Sequence, residues 1–416
     1  MQPQKRIVVL GAGFGGVYAV RRLHRRFHGD PSVRMTLVSR ENYFLFTPLL
    51  HEVATGGLAP GTIIEQLREV LGCGDTELRY EDVRRVRMID KVVETSSGEI
   101  PFDVLLIALG AETNFYNVSG AEQYARTLKS LPDAIDFKRK IIAAFESASR
   151  TTDEHQRERL LHFVIVGGGA TGVELAAELQ EFAAGSLFPA YRRALGSTRP
   201  TVVLLQQAGE LLLPFSPAIR KKALSVLCKK GVNVRLRTAV TAVDADGVLL
   251  GSGERIDASV VVWVAGVRPS PLVFDVAVAR EKNGRIITDA AFRVGGREDI
   301  FAIGDIAAVP AFTGTGTLPQ FAQVAVAEAR HAADNLRRAA LGESSRPFVY
   351  HHVGHLVSLG QWMAAAEIGP FRFWGHFAWW LWRTIYLTKF ISTRKKFSIA
   401  LQWTINLFSS RDIAQM

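Results

Sequence analysis

Two glycine clusters stand at spacings that can hold a pyrophosphate. The first reads Gly11-Ala-Gly13-Phe14-Gly15-Gly16 and the second Gly167-Gly-Gly169-Ala170-Thr171-Gly172. In a GxGxxG loop the first glycine permits the tight turn and the second lets the backbone approach the phosphates. The third lets the following helix pack closely on its strand. The pyrophosphate then meets the positive end of a helix dipole. One such spacing is a weak signal, since glycines also merely tighten turns. Two copies, each after an apolar run and before a helical pattern, point to two dinucleotide sites in one chain. The helix opened by the second loop carries Glu174 and Glu178 one turn apart, a pair whose plain reading is a polar face near a positive helix end.

Other redox and metal chemistry lacks its residues. Cys73 and Cys228 are the only cysteines in 416 residues, and no CxxC or CxxxxC pair exists. A redox disulfide, a cysteine-type zinc site and an iron–sulfur centre are therefore excluded, and no metal site is expected. Both thiols are expected to lie buried in a reducing cytosol.

The glycine loops need parallel strands behind them. Residues 7–10 and 163–166 supply the first strand of each unit, and Val33–Val38 and Thr201–Leu205 the second. Asp103–Gly110 and Ser259–Gly266 read as buried strands ending in glycine, one per unit, while Asp299–Asp305 is a further strand outside both. Strands alternating with helices predict an α/β fold with two Rossmann-like dinucleotide-binding domains. The hydrophobic fraction of 48% and charged fraction of 22% suit such a packed fold. The polar segment Arg150–Arg159 is the expected crossing. The first domain is thus expected over residues 1–150 and 271–340, the second over 151–270, and a separate tail over 341–416.

The net charge is +10, and the tail concentrates it: between Arg372 and Arg411 stand seven basic residues and no acid. Five of the seven tryptophans lie between Trp374 and Trp403. Basic residues interleaved with bulky apolar ones fit a membrane surface better than nucleic acid, which is not expected as a partner. Phe373, Phe377, Trp380 and Leu387 fall at helical spacings over residues 371–390, and Phe397, Leu401, Leu407 and Phe408 begin a second apolar face. The pattern predicts a C-terminal amphipathic helical anchor lying on the membrane. A homodimer interface is the alternative use of that face, and both can hold together. No run of 18 uncharged apolar residues appears, so no transmembrane span is expected. A strand begins almost at residue 1, leaving no room for a signal or transit peptide. The cytoplasmic face of a bacterial cell membrane is the expected location.

These residues resemble those of the type II NADH dehydrogenases, the non-proton-pumping NADH:quinone oxidoreductases of the two-dinucleotide-binding flavoprotein superfamily. The likeness runs from about Lys5 to the C-terminus. It is carried by Thr47-Pro48-Leu-Leu-His51-Glu-Val-Ala-Thr-Gly56, by 166–174, by Ile303-Gly304-Asp305 and by Ala322-Gln323-Val324-Ala325, together with the aromatic-basic tail. The resemblance implies FAD in the first domain, NADH in the second, a membrane quinone (ubiquinone or menaquinone) as acceptor, and a membrane anchor at the C-terminus. Around FAD it places the loop Gly11, Gly13, Phe14, Gly15 and Gly16, the strand end Ser39-Arg40, and Thr47-Pro48 beside the flavin ring. Ala108, Gly110, Gly304-Asp305 and Ala322-Gln323-Val324 complete that set. Around the nicotinamide nucleotide it places Gly167, Gly169, Ala170, Thr171, Gly172 and Glu174, then Gln207, Ala265 and Gly266.

In such flavoproteins the aspartate at Asp305 accepts hydrogen bonds from ribityl hydroxyls, against the plain alternative of a helix N-cap. The resemblance puts Glu174 near flavin and nicotinamide, where it moves protons towards reduced quinone. Gln323 offers an amide donor and acceptor to a quinone carbonyl. Hydride transfer from nicotinamide to flavin needs no protein acid, so His51 is read as a packing or hydrogen-bonding residue. Two features depart from the family. Ala327 and Glu328 replace the later glutamines of its AQxAxQQ motif, and Ser39, with Glu41 two residues on, replaces the acid that binds an adenosine ribose.

Disulfide reductases, peroxide-reducing NADH oxidases and sulfide:quinone oxidoreductases share the architecture but use cysteines missing here. A soluble ferredoxin or rubredoxin reductase is the enzyme alternative, and a redox-inactive nucleotide sensor the non-enzymatic one. At the second site the strand Thr201–Leu205 ends in Gln206-Gln207, and alignment on Ala208-Gly209-Glu210 puts Gln207 where the family has an acid. Such an acid binds the ribose hydroxyls of NADH and repels the 2′-phosphate of NADPH. A neutral Gln207 with no arginine next to it predicts a permissive site: NADH preferred, NADPH tolerated. Glu210 or a distant loop is the alternative source of the carboxylate.

Overall fold

Runs of Val, Ile and Leu without polar alternation must be covered on both faces, which parallel strands flanked by helices achieve. The computed structural model describes residues 4–72, 76–311, 316–409 and 411–414. The chain divides into one unit of Met1–Leu45, Ile64–Glu112 and Val267–His352, and another of Phe46–Ile63, Thr113–Gly266 and Val353–Met416.

In the first unit a five-stranded sheet runs in the order Ile300–Ala302, Val104–Ile107, Lys5–Leu10, Val33–Ser39, Thr76–Tyr80. Every pairing is parallel, with Ile7 opposite both Met35 and Val104. The strand expected to fall outside both units is thus the edge of this sheet. Helices Phe14–Phe27 and Ala322–Ala340 are tied by Arg22, whose Nη2 stands 2.6 Å from Asp334 Oδ2.

The second unit repeats the plan with four parallel strands, ordered Asn233–Arg235, Thr201–Leu205, His162–Val166, Val260–Trp263. Val164, Val203, Val261 and Trp263 form its core with Val243, Val248 and Ile256 from an antiparallel meander. In both sheets the order turns back beside the strand that carries the glycine loop, where α/β sheets bind ligands at the strand C-termini.

The division differs from the expected one: Phe46–Ile63 belongs to the second unit, residues 267–270 and 341–352 belong to the first, and two longer segments also change sides. Residues 113–150 belong to the second unit, not the first. They include the helix Leu131–Arg150, opened by a capping box in which Ser130 Oγ accepts the Asp133 N–H at 3.2 Å and Asp133 accepts the Ser130 N–H at 3.0 Å. Its buried Phe145 stacks 6.2 Å from Phe163 of the second sheet, and that apolar contact decides the side. Residues 353–416 are likewise part of the second unit, not a separate tail. They form an antiparallel sheet of His355–Ser358, Ala364–Ile368 and Phe371–Gly375, then helices His376–Lys389 and Thr393–Ile405.

The helix expected over 371–390 therefore starts late. Phe373 lies on a strand opposite Ala366, and the chain turns at Gly375 with φ 101°. Trp379, Trp382 and Trp403 are buried. Among the described residues no helix is long and apolar enough to cross a membrane. Cys228, expected buried, is exposed, because the helix Pro217–Lys229 turns Ala223, Val226 and Leu227 inward instead; Cys73 lies outside the described residues.

Candidate functional site

The two glycine loops are built alike. Gly11 (φ 96°) and Gly167 (φ 118°) hold left-handed backbone, and an added Cβ would overlap the Ala108 carbonyl at the first and stand 2.6 Å from Ala265 Cα at the second. At Gly16 and Gly172 an added Cβ would collide with the carbonyl oxygens of Gly11 and Gly167, so each helix sits against its own loop. Gly13 and Gly169 are the opposite: nothing lies within 4 Å of an added atom, and each heads its helix without a side-chain cap. Open space before an uncapped helix N-terminus is what a pyrophosphate requires. Each unit fits one dinucleotide on this ground.

Around the first loop, Gly15 lies close on Ala108 and Ile303, and the Phe14 ring meets Phe44 edge-on at 5.0 Å. Ala108 extends the sheet through its N–H to Leu10 O (2.8 Å), and Gly110 (φ 72°) has open space at its α-carbon. Ser39 is buried at its strand end, whereas Arg40 is exposed and paired with Asp82 at 2.6 Å. Thr47 and Pro48 belong to the other unit, on the single turn Thr47–Leu49. Gly304 (φ 73°) and Asp305 form one 3-10 turn, Gly304–Ile306, entered from Ile303 without a side-chain cap. Asp305 is therefore not the N-cap of a helix.

That turn is fixed from two sides. Gln320 Nε2 donates to the Asp305 carbonyl at 2.8 Å, and Glu328 Oε2 accepts the Gly304 N–H at 2.6 Å. Glu328, a departure from the family pattern, thus has a structural task. Burial pushes its carboxyl up to about 7, against the stabilising Gly304 N–H, and the charge of Asp305 adds to the rise. Ala322, Gln323 and Val324 open the helix Ala322–Ala340, with Val324 buried and Ala322 and Gln323 partly exposed.

At the second loop, Ala170 and Thr171 are exposed in the first helical turn. Gly266 accepts the Asn114 N–H at 3.0 Å, and the Tyr116 hydroxyl occupies the place of its missing Cβ. Gln206 is spent on the loop, its Oε1 accepting the Gly168 N–H at 2.9 Å and its Nε2 donating to Glu210 O at 3.3 Å. Gln207 is exposed. The Glu210 carboxylate is held by Arg220 Nη1 at 2.6 Å. An arginine does adjoin this loop, contrary to expectation: Arg237 arrives from the next strand, and its N–H donates to Ala208 O at 3.0 Å.

A cluster of buried charge in the second unit was not legible beforehand. Glu174 and Glu178 share the helix Ala170–Glu181 and are both buried. Glu174 Oε1 accepts the Ser358 N–H at 3.0 Å, and its Oε2 stands 3.8 Å from His51 Nδ1. Burial raises Glu174 to about 8, the Ser358 bond opposing and the charges of Glu178 and Glu52 reinforcing. Burial lowers His51 to about 3, helped by the Arg411 charge. At neutral pH the pair is therefore a protonated acid beside a neutral imidazole, and not an ion pair. Glu52, buried and raised by burial to about 7, accepts Trp403 Nε1 at 2.7 Å.

Two arginines balance the remaining carboxylates. Arg411 Nη2 lies 2.5 Å from Glu178 Oε2 and 3.0 Å from Glu181 Oε2, while its Nη1 donates to Thr55 Oγ1 and Glu178 O, each at 3.1 Å. Arg383 lies over the rings of Trp379 (3.6 Å) and Trp403 (4.8 Å). Glu52, Glu178, Glu181, Arg383 and Arg411 line a cavity of about 390 Å³. Of the two predicted catalytic residues, Glu174 belongs to this unit and Gln323 to the other.

Comparison with known proteins agrees with this geometry. The family model described as pyridine nucleotide-disulphide oxidoreductase matches residues 5–329, and the NDH2 C-terminal domain matches 352–412. The chain is 32% identical over 428 residues to type II NADH:quinone oxidoreductase Ndh of Mycobacterium tuberculosis, covering 99% of this chain and 90% of that one. It is 28% identical to an Arabidopsis thaliana protein, internal alternative NAD(P)H-ubiquinone oxidoreductase A1, mitochondrial, over 99% of this chain and 86% of that one. The structure of NDH2 from Plasmodium falciparum in complex with NADH superposes with a TM-score of 0.89 at 20% identity, covering 99% and 100% of the two chains, which bears on the fold. By its glycine loops, its two sheets and its likeness over almost the full length, this chain belongs to the type II NADH:quinone oxidoreductases.

Proposed function

We propose that this chain oxidises NADH through bound FAD and reduces a membrane quinone by two electrons, without pumping protons. The carrying observation is the pair of matching pyrophosphate cradles, one per unit, in a chain of this family. FAD, when bound, accepts hydride from the nicotinamide and passes electrons to the quinone. The first glycine loop holds its pyrophosphate, and Asp305, fixed by Gln320 and Glu328, accepts hydrogen bonds from its ribityl hydroxyls. The second loop holds the nicotinamide nucleotide. Quinone reduction takes up protons, and Glu174 is suited to hold one: its Oε1 is occupied by the Ser358 N–H, which leaves Oε2 to carry it. Gln323 presents its amide to the quinone carbonyl.

Stopped-flow measurement of the two half-reactions tests this reading. The flavoprotein reduced by NADH is reoxidised by a short-chain quinone and not by ferredoxin; the reverse result makes it a soluble ferredoxin-type reductase. Gln323→Leu slows reoxidation by quinone about tenfold or more, the scale of one lost hydrogen bond to a charged or developing-charge group, and slows reduction by NADH much less. Equal loss in both halves assigns Gln323 to flavin binding.

The second proposal is that residues 376–408 lie on the cytoplasmic face of a bacterial membrane. On the helix Thr393–Ile405 the side chains of Phe397, Leu401 and Ile405 follow one another at four-residue spacing and are 78%, 62% and 51% exposed, while Ile399 and Trp403 face inward. Phe377 and Trp380 are exposed on the preceding helix and Phe408 after the second. Arg394, Lys395 and Lys396 supply cations for anionic headgroups, each worth about 1 kcal/mol near the surface. Replacing Phe397, Leu401 and Phe408 together by Ser lowers binding to anionic vesicles by about a hundredfold, from the area lost at roughly 25 cal/mol per Å². Wild-type protein that ignores vesicles and dimerises through these side chains points to an interface between copies.

A further inference from the structure

The loop that ends the second strand of the nucleotide unit is laced to the start of a distant segment. The Arg237 N–H donates to Ala208 O at 3.0 Å and the Thr238 N–H to Gln206 O at 2.9 Å. These two bonds use the carbonyls on either side of Gln207, so residue 237 is pinned beside it. Arg237 itself holds φ 54°, an uncommon backbone for a residue with a side chain. Its guanidinium lies over Gly209, where an added Cβ would stand 3.3 Å from Nε and 3.9 Å from Nη2.

The charges nearby leave this guanidinium unmatched. Glu210 is engaged by Arg220 at 2.6 Å, and Arg235 is engaged by Glu254 through two bonds of 2.6 Å. Arg237 has no carboxylate within ion-pair distance among the described residues, and it is exposed. Gln206 points its amide into the glycine loop. What this edge offers outward is therefore one uncompensated cation and the neutral amide of Gln207. The edge lies at the carboxyl end of the second strand of the βαβ unit, where the adenosine ribose of a bound dinucleotide sits and its 2′ position is read.

Given the reading of the second glycine loop as the nicotinamide nucleotide site, we propose that Arg237 and Gln207 form a seat for a ribose 2′-phosphate, so that the chain takes NADPH as a substrate by attraction and not by mere tolerance. A planar guanidinium can meet a phosphate with two parallel N–H donors, which a ribose hydroxyl cannot exploit. Gln207 contributes by carrying no charge, where an acid would repel the phosphate, and by its amide donor. The missing Cβ at Gly209 gives the guanidinium room to lie against the loop.

Binding of two fragments to the flavoprotein, followed by calorimetry, separates this from other roles. The probes are adenosine 2′,5′-bisphosphate and 5′-AMP, which differ only in the 2′-phosphate. Arg237→Gln weakens the bisphosphate about tenfold or more, the scale of one charge-assisted contact, and 5′-AMP far less. Arg237→Lys recovers part of that loss, and Gln207→Glu weakens the bisphosphate selectively through repulsion. The KM for NADPH rises in step. Equal weakening of both probes in Arg237→Gln, or no weakening of the bisphosphate, overturns the proposal. Failure of folded wild-type protein to bind either probe overturns the reading of the loop as a nucleotide site and the proposal with it, whereas NADH oxidation with an indifferent Arg237 overturns the proposal alone.

Discussion

Glu174→Gln lowers quinone-dependent turnover by about a hundredfold or more, the usual contribution of a positioned proton donor, while reduction by NADH changes much less. The amide keeps an oxygen for the Ser358 N–H, so the site stays assembled, but it has no proton to release. The same substitution has a signature in stability. Glu174 is raised in the folded protein to about 8 from an ordinary value near 4.5. The stabilising contribution of its proton is fully present below the unfolded value and is lost as pH rises through the folded one. Wild-type protein should therefore be more stable at pH 5.5 than at pH 8.5, by a few kcal/mol on the scale of roughly 1.4 kcal/mol per unit. Glu52 and Glu328, each raised to about 7, tilt stability the same way. In Glu174→Gln the tilt is reduced but not removed. Urea unfolding at the two pH values, with stopped-flow rates on the same samples, measures both effects. An unchanged quinone half-reaction would remove Glu174 from proton delivery whatever its stability profile.

Arg411→Met destabilises the protein by about 3–5 kcal/mol at neutral pH, the range expected when one partner of a buried ion pair is removed and the other keeps its charge. Arg411 is linked to Glu178, Glu181 and Thr55, and its side chain is only 14% exposed. Methionine fills much of the volume, so the loss reports charge and hydrogen bonding more than a cavity. Glu181 is already raised by burial and by the charge of Glu178, with Arg411 opposing. Without the arginine it is raised further, so the variant recovers stability as pH falls towards 5. Arg411→Lys restores a cation but not the fork of donors, and lies between the two. A loss below about 1 kcal/mol for Arg411→Met, typical of exposed pairs, would mean that water reaches the cluster and screens it.

The glycine loops were readable because their chemistry is local. The left-handed turn at Gly11 and Gly167 and the close approach of Gly16 and Gly172 to its carbonyl fall within six positions and demand glycine, whereas Gly13 and Gly169 between them leave open space. The parallel strands were readable for a similar cause: four to six consecutive apolar residues have no other stable place than between two covered faces. Boundaries were less legible. Nothing in the polarity of 113–150 says on which sheet its apolar face packs, and the contact of Phe145 with Phe163 settles it. Phe373 keeps helical spacing with Phe377, yet backbone pairing of Phe371–Gly375 with Ala364–Ile368 takes it into a sheet.

By itself the sequence determined the α/β class, the two dinucleotide loops and the lack of any CxxC or CxxxxC pair, since each of these follows from short-range order or from composition. Tertiary structure alone decided which charges meet. Glu52, Arg411 and the pair Glu174 and Glu178 are separated by up to 359 positions along the chain, and no spacing rule links that pair, one helical turn apart, to the other two. Their protonation depends on removal from water, a property of the folded interior and of no single segment. Arg237 stands 30 positions from Gln207 and comes beside it because neighbouring parallel strands align their carboxyl ends, Leu205 opposite Arg235. Glu328 reads as a departure from a motif until the helix Ala322–Ala340 carries it to the Gly304 N–H. Local backbone geometry is written in neighbouring residues; long-range electrostatics waits on the chain's return to itself.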